Sequence, residues 1–220
     1  MRDSEIINKT ILFVQSTLEG AEGGHDWFHI ERVWKNAKLI ALNESVDLFV
    51  VELGALLHDI ADAKFHDGDE SIGPKKAREF LESIEVENSI IDHIENIIKY
   101  VSFKSGLDKS SKLNFSSNEL KVIQDADRLD AIGAIGISRA FNYGGFKNRG
   151  LYNPDIKPNL NLSKEEYKKS SAPTINHFYE KLLLLKGKMN TKTGYALAKE
   201  RHRFMELYLK QFYKEWEGEI

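Results

Sequence analysis

Leu56-Leu57-His58-Asp59-Ile60 sets an imidazole beside a carboxylate, directly behind an apolar run that begins at Val46, with Asp62 three residues further on. Both groups are costly at the end of a buried helix unless something pairs with them, and a divalent cation would satisfy both. Two ligands do not complete a site. His29 upstream and Asp127 downstream, in Gln124-Asp125-Ala126-Asp127-Arg128-Leu129, could complete it. Two imidazoles and two carboxylates suit a borderline-to-hard divalent ion: Mn, Mg, Fe, Co, Ni or Zn, with Mn or Mg favoured. Leaving two positions for water makes such a centre catalytic rather than structural. An ion so held lowers the pKa of its water from 15.7 to roughly 7, and Asp62 could hold or deprotonate that water. Taken singly, each residue has a plainer reading. The His-Asp pair reads as a surface helix cap, His29 as a partly buried histidine, Asp127 as part of a solvated face, and Asp62 as a loop cap. The combination is what points to a metal.

A phosphate substrate would need further groups. His25 lies four residues before His29 and shares its face if the helix already starts at 25, where it could contact substrate. His93, among isoleucines, reads either as a core histidine or as a leaving-group acid. Arginine forks suit pairs of phosphate oxygens and lysine supplies point charge. Lys64, Lys104 and Arg128 lie closest to the motifs, with Arg139, Lys147 and Arg149 further on. Trp27, Phe103, Tyr143, Phe146 and Tyr152 could stack on a base.

The elements that must position these residues all read with helical period. Ile6, Ile7, Ile11, Val14 and Leu18 form one apolar stripe, ended by Gly20. Ile30, Val33, Trp34, Ala37, Ile40 and Ala41 form a second, entered from Gly23-Gly24. Asp47 is the expected N-cap of the helix that runs into His58. A loop over residues 61–73 follows, then a helix with Pro74 in its first turn, and another capped at Asn88 or Ser89. The pattern resumes from Asn118 through Leu129. Gly133 and Gly136 would let a neighbour come close. Residues 143–161 read as a long loop, and loops of that length are more often functional than idle. Ser163-Lys164-Glu165-Glu166 has the form of a capping box, and two closing helices are expected at about 174–185 and 192–216. No strand alternates and no repeat recurs, so the expected fold is all-α, a single-domain helical bundle over residues 1–220.

Composition narrows the function classes. The 220 residues contain no cysteine, which excludes disulfides and thiolate metal sites and fits a cytoplasmic protein. The start shows no signal-peptide layout, and no apolar run approaches a membrane span. A net charge of −3 argues against nucleic acid as a partner. Neither a nucleic acid nor a membrane is expected as a partner, and the oligomeric state stays open. His25-Asp-Trp-Phe-His29 imitates the spacing of a zinc protease but lacks the activating glutamate and leaves His58-Asp59 unexplained. A di-iron bundle would need two Glu-x-x-His elements on helices, and Glu22-Gly-Gly-His25 runs through glycines.

The order His29, His58-Asp59, Asp127 resembles the HD-domain superfamily of metal-dependent phosphohydrolases. Gly24-His25-Asp26-Trp27-Phe28-His29-Ile30-Glu31-Arg32-Val33 looks like its first-histidine helix, Leu56–Ile60 like the doublet that names it, and Ala126-Asp127-Arg128-Leu129 like its closing aspartate. The likeness continues through Val101-Ser102-Phe103-Lys104 to the last helix, and is to a branch of small stand-alone bacterial proteins. It implies an all-α fold, a metal centre of one or two ions, and hydrolysis of phosphate esters or anhydrides, often in nucleotides. The favoured form is a nucleoside or deoxynucleoside triphosphate pyrophosphohydrolase. The alternatives are a nucleotidase-type phosphomonoesterase and a non-catalytic nucleotide or alarmone binder. One departure is nearby. Some relatives use a glutamate three residues after the doublet as a base, and here that position holds the shorter Asp62.

Overall fold

The computed structural model describes residues 2–21, 24, 26–61, 69, 71–101, 115–161, 166 and 170–219. The described residues are helical or irregular, with no strand among them, and the all-α expectation holds. None of the helices among them is long and apolar enough to cross a membrane. The chain forms two compact units, Met1–Asp127 and Arg128–Ile220.

The first unit is built from α1 (Asp3–Thr17), α2 (Trp27–Ala41), α3 (Leu48–Leu57), α4 (Ile72–Ser83), α5 (Asn88–Val101) and most of α6 (Asn118–Asp130). Its centre is α3, which is apolar at every position but Glu52. Val50, Val51, Leu53, Gly54, Ala55, Leu56 and Leu57 are all buried, because α1, α2 and α5 pack around it. Asp47 caps α3 as expected, its Oδ1 accepting from the Phe49 and Val50 amides at 2.9 and 3.4 Å. The Asp47 amide in turn donates to Glu119 Oε1 at 3.1 Å, which ties the start of α3 to the start of α6. One turn before His58 a Cβ on Gly54 would lie 2.5 Å from Ile123 Cδ1, with Ile97 at 3.4 Å. The missing side chain thus allows α3 to lie close against α5 and α6. These two contacts align α3 and α6 in one direction and bring both C-terminal ends together.

The second unit contains α7 (Gly133–Phe146), α8 (Thr174–Glu180), a 3-10 segment (Leu182–Lys188) and α9 (Lys192–Trp216). Gly133 has φ +77, and a Cβ there would lie 3.0 Å from Arg201 on α9, so the close approach expected at this glycine is realised. Two expectations fail here. The loop expected from 143 starts later, because α7 continues through Gly144-Gly145 to Phe146. Gly144 is buried tightly against Thr174 of α8, a contact that offsets the weak helix preference of glycine. The helix expected over 174–185 stops at Glu180 and gives way to the 3-10 segment. Leu182 and Leu185, three apart, are its buried residues, and three is the repeat that eclipses in a 3-10 turn. The capping box at 163–166 falls largely outside the described residues.

Candidate metal centre

α2 delivers His29 from its first turn. Asp26 is the N-cap, and its Oδ1 accepts from the His29 amide at 3.0 Å. The residue is 2% exposed, held by the stripe Ile30, Val33, Ala37 and Ile40 that buries α2. α2 begins at Trp27, and His25, whose shared face with His29 depended on an earlier start, lies outside the described residues.

α3 delivers His58 and Asp59 as it ends. His58 occupies the C-cap position and is 8% exposed. Its Nδ1 lies 2.8 Å from the Ala55 carbonyl oxygen. A carbonyl only accepts, so Nδ1 carries a proton and Nε2 is the nitrogen left to face the cluster. That is the arrangement in which metal-binding histidines are usually found, with the second ring nitrogen donating to a fixed acceptor. The C-terminal end of α3 adds the partial negative charge of its unpaired carbonyls, which favours a cation there.

His29, His58 and Asp59 each present a ligand atom within 4.8 Å of the others. The two imidazoles stand edge to face, with centroids 5.4 Å apart at 64°. α6 adds Asp127 in its last turn, Oδ1 lying 3.7 Å from His29 Nε2. Three of the four residues proposed from sequence, His29, His58 and Asp59, therefore converge, and Asp127 lies beside His29 without joining that 4.8 Å group. The side chain of Asp127 is 42% exposed while that of His29 is 3% exposed, so the cluster is closed behind the imidazoles and open beside the carboxylate. Two imidazoles and the Asp59 carboxylate, with Asp127 beside His29 and one ring already oriented by a backbone acceptor, fit a divalent ion in donor type and in orientation.

The remaining expected residues are placed less decisively. Asp62, Lys64 and Lys104 lie outside the described residues. His93 is half-buried rather than in the core. Its Nε2 lies 3.0 Å from Ser117 Oγ and 3.6 Å from Glu119 Oε2, and its ring meets Phe115 at 5.6 Å. Ser117 Oγ also accepts from the Leu120 amide, so His93 links α5 to the start of α6. Arg128 donates through Nη1 to the Lys188 carbonyl at 2.8 Å. Sequence reasoning missed Asp26, although an aspartate directly before an apolar-periodic run is a legible N-cap signal. It also missed Asp130, buried at 1% and paired with Arg139. The partner there is set by the fold of the second unit, which sequence spacing does not reveal.

Comparison with known proteins agrees with this geometry. A family model of the HD domain matches residues 27–132, which contain all four clustered residues. An HD-superfamily hydrolase from Bacillus thuringiensis is 42% identical, with a TM-score of 0.78, the match covering 98% of this chain and 99% of that one. A protein of known structure from Lactobacillus plantarum has a TM-score of 0.81 at 34% identity, over 99% of this chain and all of its own. YpgQ of Bacillus subtilis is 39% identical over 94% of this chain and 91% of its own. Its structure in complex with ADP has a TM-score of 0.76 and covers 98% of this chain and 97% of that one. Two buried histidines beside Asp59, with the doublet at a helix end, in a chain matched over nearly its whole length, place this protein in the HD-domain superfamily.

Proposed function

We propose that the protein is a metal-dependent phosphohydrolase. Its favoured reaction is hydrolysis of a nucleoside or deoxynucleoside triphosphate between the α and β phosphates, releasing pyrophosphate. The observation that carries this is the meeting of two imidazoles and Asp59 within 4.8 Å, with Asp127 beside His29. His29, His58, Asp59 and Asp127 would hold a divalent ion, with Mn or Mg as the favoured species. When bound, such an ion supplies Lewis-acid polarisation of phosphoryl oxygens and acidifies water. His29 and His58 would offer ring nitrogens, and Asp59 and Asp127 would offset the added positive charge. The open side at Asp127 is where a phosphate chain can enter. Asp62 is the proposed base, and His25, Lys64, His93, Lys104 and Arg128 are the proposed substrate contacts. The complex of the relative YpgQ with ADP supports a nucleotide as the ligand. The absence of cysteine agrees with work in the cytoplasm.

Incubating the Mn- or Mg-loaded protein with a nucleotide panel tests the reading. Pyrophosphate and a nucleoside monophosphate in equal amounts are expected. Orthophosphate as the first product would replace it with a phosphomonoesterase, and tight binding without turnover under every metal would replace it with a nucleotide-binding protein.

A further inference from the structure

Asp127 stands apart from the other three candidate ligands. It lies beside His29, outside the group formed by His29, His58 and Asp59, and its side chain is 42% exposed. A carboxylate so exposed takes its position from the backbone that carries it, and that backbone is the last turn of α6. A helix end leaves its final carbonyls without intrahelical partners. α6 closes with the Ala131 and Ile132 amides donating to the Arg128 and Leu129 carbonyls at 3.1 and 3.3 Å.

The three residues after Asp127 are each tied to a different element. Arg128 donates through Nη1 to the Lys188 carbonyl of the 3-10 segment at 2.8 Å. The Leu129 carbonyl accepts a second time, from Arg201 Nη1 of α9 at 2.5 Å. Asp130, 1% exposed, is paired with Arg139 of α7, and Arg201 is near enough to feel the Asp130 charge as well. The chain is shaped to admit Arg201. Gly133 is left-handed at φ +77, and a Cβ there would lie 3.0 Å from Arg201 Cβ and 3.1 Å from its Cγ. A Cβ on Gly136 would lie 2.2 Å from the Ala131 carbonyl oxygen, so a glycine lets α7 start directly against the end of α6. On α9 itself Ala198, His202 and Met205 are buried around Arg201, which presents the guanidinium from a fixed stem.

From these ties we infer that Arg201 is a positioning residue for the metal centre: by capping the α6 carbonyl two residues after Asp127, it sets where the Asp127 carboxylate stands. A cation is favoured at the negative end of a helix, and a basic side chain can hydrogen-bond the last carbonyls there. Each of the ties lies within residues 128–220, and the α6 backbone carries their effect to Asp127. This presupposes the metal centre proposed above, with Asp127 as one of its ligands. A plain helix cap would contribute stability alone, whereas a positioning residue also changes how tightly the metal is held.

Calorimetric titration of the full chain with Mn2+ separates the two. Arg201→Gln, which loses the charge and the fork, should weaken Mn2+ binding about three- to thirtyfold, the range of couplings carried through packed elements. Leu209→Ala removes a buried side chain two turns further along α9. It should lower stability in urea and still bind Mn2+ within about twofold of wild type, since it leaves the α6 cap in place. Coupling is reciprocal, which gives a readout on the wild type that stands even if Arg201→Gln fails to fold. A saturating diamagnetic ion, Mg2+ or Zn2+, should shift the Arg201 Nε–H resonance, assigned with Arg201→Lys. Unchanged Mn2+ affinity in Arg201→Gln, an equal loss in Leu209→Ala, or an unmoved Arg201 resonance would each overturn the inference and leave the metal centre standing. No metal binding by the wild type would remove the centre itself, and the inference with it.

Discussion

His58 concentrates the chemistry of the site in one hydrogen bond. With Nδ1 donating to the Ala55 carbonyl, the ring can turn only Nε2 toward His29 and Asp59. Removing the ring should leave the two carboxylates without an oriented nitrogen between them. Elemental analysis of purified His58→Ala and Asp127→Ala proteins is expected to show metal content well below wild type, since outright ligand loss should exceed the roughly 10–100-fold effect of outer-shell changes. Metal retained by both variants would mean that the ligands have been misassigned. Asp26 acts on the same site from behind, because its cap fixes the turn that carries His29. Asp26→Ala should cost about 1 kcal/mol in denaturant unfolding and weaken metal affinity measurably, while Asp26→Asn, which keeps the cap acceptor, should preserve both.

α3 and α6 place the pair of acidic ligands at the scale of whole elements. Gly54 precedes His58 by four residues and Ile123 precedes Asp127 by four, so the tight contact between Gly54 and Ile123 sits one turn behind the cluster. A larger side chain at that contact would push the two helix ends apart. Gly54→Val is expected to destabilise the protein by about 1–3 kcal/mol, the range for overpacked cores. It should also lower metal affinity in calorimetric titration. A variant that lost stability but bound metal as wild type would show that the contact serves packing alone.

The two units carry formal charge of opposite sign, −10 for residues 1–127 and +7 for residues 128–220, and the second contains a histidine held neutral by burial. The unfolded imidazole of His177 takes a proton near pH 6.5, and the folded one only near 3. Between those values protonation favours the unfolded chain. The contribution of His177 to stability is therefore complete above pH 6.5 and is lost as the pH falls toward 3. Thermal melting from pH 7 to 4 should show a falling Tm in the wild type, with a shallower fall in His177→Gln. Equal slopes would place the acid sensitivity in other groups. The Asp130–Arg139 pair and Arg201, which donates to the Leu129 carbonyl at 2.5 Å, secure the last turn of α6 in the same unit. Burial lowers the Arg201 pKa, and Asp130 acts in the opposite direction.

The all-α class, the first two helices and the cap at Asp47 were legible in the chain, because apolar periodicity and cap chemistry are local properties. Where α7 ended was not legible. Gly144-Gly145 reads as a turn until Thr174 packs against it, and that partner lies some thirty residues away. The same holds for the break after Glu180 and for the partner of Asp130. His29, His58, Asp59 and Asp127 could be named from residue types and order alone. Only the tertiary structure decided that His29, His58 and Asp59 converge, that Asp127 lies beside His29 with its side chain part exposed, and that His58 turns Nε2 toward them. Those facts depend on how α2, α3 and α6 pack, through contacts between residues far apart in sequence, and no local pattern encodes them.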